Sequence, residues 1–354
     1  MVFDPGFYKG KKVLITGHTG FKGSWMSVIL VNLGAKVTGF SLDPDTDPSL
    51  FKLCDIKDSI DHNYGDIRNL DALKSVFDKS KPEIVIHMAA QPLVRRSYEE
   101  PVLTYSTNVM GTVNVLECTR LCDSVKSFLN VTTDKVYENL EKEEGYKEDE
   151  RLNGYDPYSN SKSCSELVTD SYKKSFFSGR SISISTARAG NVIGGGDFAK
   201  DRIVPDLVRA AFSGQDIIVR NPYSTRPYQH VLEAVFAYLM IASKQYDDVS
   251  LSGCYNVGPE DSDCYQTGRL VDRFIECWGA GLSRVDKNDG GPHEASFLKL
   301  DNTKLKETFD WKPVWNLDTA INKTVDWSKC MLEGGNIRKC MNRQINEYLK
   351  AFCD

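Results

Sequence analysis

Apolar and polar positions alternate along the first half of the chain in blocks of two kinds. Short apolar runs at 12–16, 36–40, 84–87, 127–131 and 182–187 read as buried strands. Stretches with helical spacing at 21–32, 70–79, 101–121 and 157–177 separate them. Strands alternating with helices predict an α/β fold, a doubly wound parallel sheet with helices on both faces. After Arg188 the chain turns richer in glycine, proline and irregular segments, including GNVIGGGD and RNPYSTRP. The pattern predicts two parts: 1–188 as the sheet domain, and 189–354 as mainly a smaller mixed α/β lobe, interleaved with the first. The last stretch, 319–354, reads as helical with Trp327, Ile345 and Leu349 on buried faces. The charged run 138–151 holds no strand pattern and reads as a solvated loop. No internal repeat is present.

Composition narrows the function classes. A chain of 354 residues with 41% hydrophobic and 26% charged residues is that of an ordinary globular protein. A net charge of -5 leaves no electrostatic footprint for DNA or RNA, and no basic cluster points to a membrane surface. No segment approaches the roughly 18 uninterrupted apolar residues a membrane span needs, and the first residues lack a signal-peptide pattern. Ten scattered cysteines, without histidines at ligand spacing, predict reduced thiols in a cytoplasmic protein and no metal site.

Chemistry enters first at the amino end. KVLITGHTGFKGSW is an apolar strand, a glycine turn and a helix start, with Gly17, Gly20 and Gly23 in GxxGxxG spacing and Phe21 opening the helix. Glycines there let the backbone turn sharply and approach a pyrophosphate at the helix N-terminus. The spacing departs from the GxGxxG dinucleotide fingerprint, and alone it is as consistent with an ordinary turn. At the end of the second strand stands Ser41, with Asp43 two residues on and no arginine close enough to invite a 2′-phosphate. That favours NAD over NADP.

The second feature is YDPYSNSK, where Tyr158 and Lys162 stand four residues apart and rise from one helix face. A cation held beside a phenol favours the phenolate, so this pairing predicts a lowered Tyr158 pKa and a base for a substrate alcohol. Upstream lies VTTDKVY, with Thr133, Asp134 and Lys135. An aspartate beside a lysine is by itself as ordinary as a surface ion pair. In order along the chain come GHTGFKGSW, HMAAQPLVRRSY, TTDKVYEN, DPYSNSK, ARAGNVIGGGD, DRIVPD and TRPYQHV.

These seven motifs resemble the extended short-chain dehydrogenase/reductases, and within them the nucleotide-sugar 4,6-dehydratases, over nearly the whole chain. The resemblance implies a Rossmann-like sheet domain, bound NAD, a substrate-binding second lobe, a homodimer packed through the helices at 101–121 and 157–177, and a place in deoxysugar biosynthesis. It implies cofactor contacts from Asp66, Ile67, Ala89, Ala90 and Asn108 beside the glycine motif, Ser41, Tyr158 and Lys162. It also implies that Thr133 hydrogen-bonds the sugar's carbon 4 oxygen and that Asp134 is the acid expelling the carbon 6 oxygen. Many of these dehydratases carry glutamate where this chain has Lys135. The branch acting on CDP-glucose shares the lysine, which makes Lys135 the carbon 5 base. For the diphosphate the candidates are Arg226 and Arg202, then Arg220 and Arg96, since arginine suits bidentate phosphate contacts. Asn191 and His293 match substrate-side positions. A 4-epimerase or reductase on the same scaffold would need Tyr158 and Lys162 but not Asp134 with Lys135. A non-catalytic cofactor-binding protein would need none of them.

Overall fold

In the computed structural model, residues 3–279, 281–287 and 297–353 are described. The first half runs β1 (Lys12–Thr16), α1 (Phe21–Asn32), β2 (Lys36–Ser41), β3 (Asp61–Tyr64), α2 (Leu70–Ser80) and β4 (Ile84–His87). A long helix, α3, follows as Pro101–Tyr105, a π turn Ser106–Met110 and Gly111–Leu121. Then come β5 (Ser127–Val131), α4 (Pro157–Tyr172) and β6 (Ser183–Ala189). The second half adds α5 (Ile203–Ser213), α6 (Val231–Asp247), β7 (Cys254–Val257), α7 (Thr267–Trp278), α8 (Leu317–Leu332) and α9 (Ile337–Cys353).

Seven strands form one parallel sheet in the order β7-β6-β5-β4-β1-β2-β3. Every residue of β4, β5 and β6 is buried, as parallel strands covered on both faces must be. This continuous burial is what made the central strands visible as apolar runs. β3, with sequence DHNY, lies at the sheet edge with no fully buried residue, so it offers no apolar run to read. The strand order reverses between β1 and β4, which opens a crevice at the carboxyl ends of the strands. The glycine turn after β1, Ala89 after β4, Thr133 after β5 and Asn191 after β6 all begin there.

The second half of the chain is shared between the lobes. α6 packs on β5 and β6 and is buried on nearly every side, and a helix sunk in a core has no polar face to betray its period. β7 completes the sheet beside β6, so a boundary after Arg188 falls inside a strand that continues to Ala189. α9 packs on the same core, where Tyr348 stacks on Phe236 of α6 with centroids 4.9 Å apart. Trp327 and Ile345 are buried, and Leu349 is half-buried against that core. The smaller lobe has its own core, with Leu207, Leu270, Phe274, Ile321 and Val325 from α5, α7 and α8.

One expectation is overturned. The 138–151 run is not simply a solvated loop: Tyr146 is buried and stacks on Tyr137 at 5.1 Å, and Arg188 donates to the Glu148 carbonyl. Its charges masked an anchored aromatic. Among the described residues no helix is long and apolar enough to cross a membrane, no group of His, Cys, Asp or Glu is placed to hold a metal, and all ten cysteines are free thiols.

Candidate functional site

The glycine turn is built by close backbone approach. Gly17 has φ +77°, and a Cβ there would lie 2.7 Å from the Ala89 nitrogen; one at Gly23 would lie 2.2 Å from the Gly17 carbonyl oxygen. Only glycine fits at either place. At Gly20 a Cβ would meet nothing nearer than the Gly17 oxygen at 3.5 Å, so the space beside it is open. Gly20 caps α1 without a side chain, leaving the N-terminal N–H groups at Phe21 free of a side-chain cap, as an anion-binding helix end requires. The Ser41 hydroxyl shares a 2.8 Å hydrogen bond with Thr19, which fastens the end of β2 to the turn. These features fit a dinucleotide.

The remaining cofactor candidates surround the same crevice. Asp66 accepts from the Arg68 backbone at 2.8 Å and its guanidinium at 2.6 Å, which holds the carboxyl below its usual range. Ile67 is buried against Gly111 of α3, and the Ala89 N–H donates to Thr16 Oγ1 at 3.2 Å. Ala90 follows, half-buried. Asn108 sits in the π turn of α3 as a clamp: its Oδ1 accepts from the Gln91 N–H, and its Nδ2 donates to the Gln91 carbonyl and Ser161 Oγ. Holding α3, α4 and the segment after β4 together occupies its amide on both sides.

The Asp134–Val136 turn follows β5, with Thr133 as its cap. The Thr133 hydroxyl donates to Asp134 Oδ1 at 2.9 Å, and it lies beside the Tyr158 phenol, whose rise it opposes. Asp134 is 1% exposed, which excludes a surface ion pair. Its Oδ2 has no partner among the described residues. Burial raises its carboxyl above the usual range, against the pull of Lys135, the Thr133 hydrogen bond and Arg226. Lys135 is half-buried beside it, its N–H 3.4 Å from Thr133 Oγ1.

Tyr158 and Lys162 rise from α4, whose start is set by Asp156: its carboxylate accepts from Ser159 N–H at 3.0 Å, with Pro157 in the first turn. The expected lowering of the phenol is not what the structure shows. Burial pushes Tyr158 up to about 12, and the groups opposing that rise are Thr133 and Arg202, not Lys162. Lys162 is itself buried, pushed down to about 8, and donates to the Val131 carbonyl at 3.3 Å. Desolvation outweighs the charge effect that spacing alone suggested.

Of the arginines, the fold brings Arg226 and Arg202 to this centre. Arg226 is 6% exposed and faces Asp134. Arg202 faces Tyr158 while pairing with Asp197 at 2.9 Å. Arg220 pairs with Asp201 at 3.0 Å and Arg96 with Glu100, both partly exposed. Asn191 accepts from the Gln229 N–H through its carbonyl. His293 lies outside the described residues.

Lys22 and Asp197 were missed. Lys22, in the first turn of α1, is pushed down to about 7 by burial and by Lys162 and Arg202, with Asp134 and Asp197 opposing. The readable signal was a lysine at a helix start, where the dipole disfavours a cation. Asp197 offered no signal beyond its place in GNVIGGGD.

The family model described as GDP-mannose 4,6 dehydratase matches residues 14–324. A CDP-glucose 4,6-dehydratase of Salmonella typhimurium is 45% identical over 99% of both chains, and a dTDP-glucose 4,6-dehydratase of Xanthomonas campestris is 26% identical over 89% of this chain and 92% of its own. Among solved structures, a UDP-glucose 4-epimerase of Thermotoga maritima superposes with TM-score 0.79 at 21% identity, covering 90% of this chain and 99% of its own. A dTDP-glucose 4,6-dehydratase of Bacillus anthracis in complex with NAD superposes at 0.77 and 22%, covering 93% and 100%. At such identities the structures establish the Rossmann-like fold, and the sequence relatives establish the family. The chain belongs to the extended short-chain dehydrogenase/reductases, in the family described as GDP-mannose 4,6 dehydratase.

Proposed function

We propose that this chain is an NAD-dependent hydro-lyase that converts CDP-glucose to CDP-4-keto-6-deoxyglucose and water. The carrying observation is the buried Asp134, with one carboxylate oxygen on Thr133 and the other unpartnered, beside Tyr158. An epimerase or reductase needs no such acid; a dehydratase does. The likeness to the Salmonella enzyme over the full length supports the cytidine nucleotide.

NAD, when bound at the glycine turn, supplies the acceptor for the carbon 4 hydride and its donor to carbon 6. In its phenolate form Tyr158 takes the proton of the carbon 4 hydroxyl, with Thr133 hydrogen-bonded to the same oxygen. Oxidation at carbon 4 acidifies the carbon 5 proton, because the carbanion delocalises into the ketone. In its neutral form Lys135 takes that proton and returns one to carbon 5 as carbon 6 is reduced, and Asp134, whose carboxyl burial raises above its usual range, gives one to the departing carbon 6 oxygen. Lys162 holds the nicotinamide side of the site. Gly17, Gly20, Phe21 and Gly23 hold the pyrophosphate, and Ser41, Asp66, Ile67, Ala89, Ala90 and Asn108 shape the rest of that groove. Arg226 and Arg202 meet the substrate's diphosphate, with Arg220, Arg96, Asn191 and His293 farther along its path.

We further place the protein in the cytoplasm, in keeping with ten free thiols, and assemble it as a homodimer through α3 and α4. Val102, Met110 and Leu121 of α3 and Leu167 of α4 are exposed apolar side chains on two helices that pack together. The test of function is incubation with catalytic NAD and CDP-, UDP-, GDP- or TDP-glucose in heavy water. The reading requires a 4-keto-6-deoxy product from CDP-glucose, deuterium at carbon 5 and no lasting NADH; a galactose epimer would refute it.

A further inference from the structure

Glu166 lies on α4 four residues beyond Lys162 and eight beyond Tyr158, so the three side chains share one helix face. It is 2% exposed, and its carboxylate accepts from Thr132 Oγ1 at 2.5 Å, Thr186 Oγ1 at 2.7 Å and Arg188 Nη2 at 3.0 Å. Those donors come from the end of β5 and from β6. Arg188 reaches on through Nη1 to the Tyr137 hydroxyl and the Glu148 carbonyl, both at 2.9 Å. Thr132 directly precedes Thr133 and Asp134.

A buried ion pair is a poor way to gain stability, since desolvation of both charges offsets their attraction and an apolar pair often serves a fold as well. Glu166 also has a neighbour that the pairing with Arg188 does not explain. It is the acid whose charge reaches Lys162, whose own hydrogen bond goes to a carbonyl. Among the described residues Lys162 is also faced by Tyr158 one turn back on α4, by Lys22 from α1, which repels it, and by His87 from β4.

We propose that Glu166 is a positioning residue of the dehydration: one helical turn beyond Lys162 on the same face, its buried carboxylate faces that side chain and ties the Thr132–Thr133 segment to the helix bearing Tyr158. Its place in the reaction rests on the function proposed above. Burial pushes Lys162 down to about 8, and Glu166 works against that fall. Removing the acid therefore moves the deprotonation of Lys162 to lower pH.

The test reads Lys162 directly, by NMR titration of lysine side chains in isotope-labelled full-length protein, with Lys162→Arg assigning the signal. Hydride transfer is measured in parallel as a pH profile of NADH absorbance in a single turnover. Glu166→Gln is expected to shift the Lys162 titration and the alkaline limb of hydride transfer together, by about one pH unit downward. Glu166→Asp restores part of the shift. Glu166→Gln also strands Arg188 and destabilises the fold, so the double variant Glu166→Gln/Arg188→Met serves as control. It is expected to regain thermal stability without regaining the limb. An unmoved Lys162 titration, or a double variant that recovers both stability and limb, would reduce Glu166 to a structural part. An intact Lys162–Glu166 linkage in wild-type protein that converts no nucleotide-linked glucose counts against the proposed function and not against the linkage.

Discussion

Thr133 Oγ1 donates to Asp134 Oδ1 at 2.9 Å and leaves Oδ2 buried with no partner among the described residues. A carboxyl so placed is oriented by one oxygen and free to use its proton on the other, and burial favours its keeping that proton. Asp134→Asn keeps the shape and removes the transferable proton. Elimination is expected to slow by about 10²- to 10⁴-fold, with hydride transfer slowed much less. In stopped-flow, NADH would then form and persist. Equal losses in both steps would remove Asp134 from the role of acid.

Two glycines of the turn separate by what each is for. Gly17→Ala meets both a positive φ and a backbone atom at 2.7 Å, so it is expected to cost at least ~1–2 kcal/mol of stability. Gly20→Ala has room and is expected to cost under ~1 kcal/mol. Its methyl group would instead stand where a pyrophosphate approaches the helix end, weakening NAD binding by about tenfold or more. Thermal melts and NAD titrations on the two variants check this division. Normal NAD affinity in Gly20→Ala would move the cofactor site elsewhere.

Buried histidines set the acid side of stability. His18, His87 and His230 are each pushed down to about 3 by burial, against 6.5 when unfolded. Between those values the unfolded chain binds more protons than the native one, so stability is lost as pH falls below 6.5. Each group contributes a slope of ~1.4 kcal/mol per pH unit once well below that value. Glu233, raised to about 7 by burial, acts the other way between 4.5 and 7. Of these four groups, three against one leaves a net loss of ~3 kcal/mol per pH unit near pH 5; His62, also lowered, adds to it, and Asp134, Glu148, Asp206 and Asp263, raised by burial, offset part of it. Urea unfolding at pH 7.5, 6 and 5 measures it, and a flat profile would contradict it.

The homodimer makes a prediction of mass. Light scattering is expected to give twice 39.8 kDa for the wild type and 39.8 kDa for Val102→Glu/Leu167→Glu, whose charges would be buried without partners in the helical interface. A wild-type monomer would leave those apolar side chains to another partner.

Much of this protein was legible in one dimension. Strands such as Lys12–Thr16 and Ser127–Val131 announced themselves because a parallel sheet buried on both faces demands mainly apolar strands. The glycine turn was legible because positive φ and close backbone approach admit few other residues. Tyr158 and Lys162 could be paired from their spacing on one helix, whereas Thr133 and Asp134 were named through the family resemblance.

Tertiary structure decided what depends on several segments at once. α6 escaped notice because complete burial erases amphipathic period, and β3 because an edge strand needs no apolar run. The titration of Tyr158 followed burial and Arg202, contributed from far along the chain, in place of the lysine one turn away. Lys22 joined the site, and Glu166 met Arg188, only when α1, β5, β6 and α4 were packed together. Spacing along a chain specifies which groups share a local face, whereas desolvation and charge are set by everything that folding brings within a few ångströms.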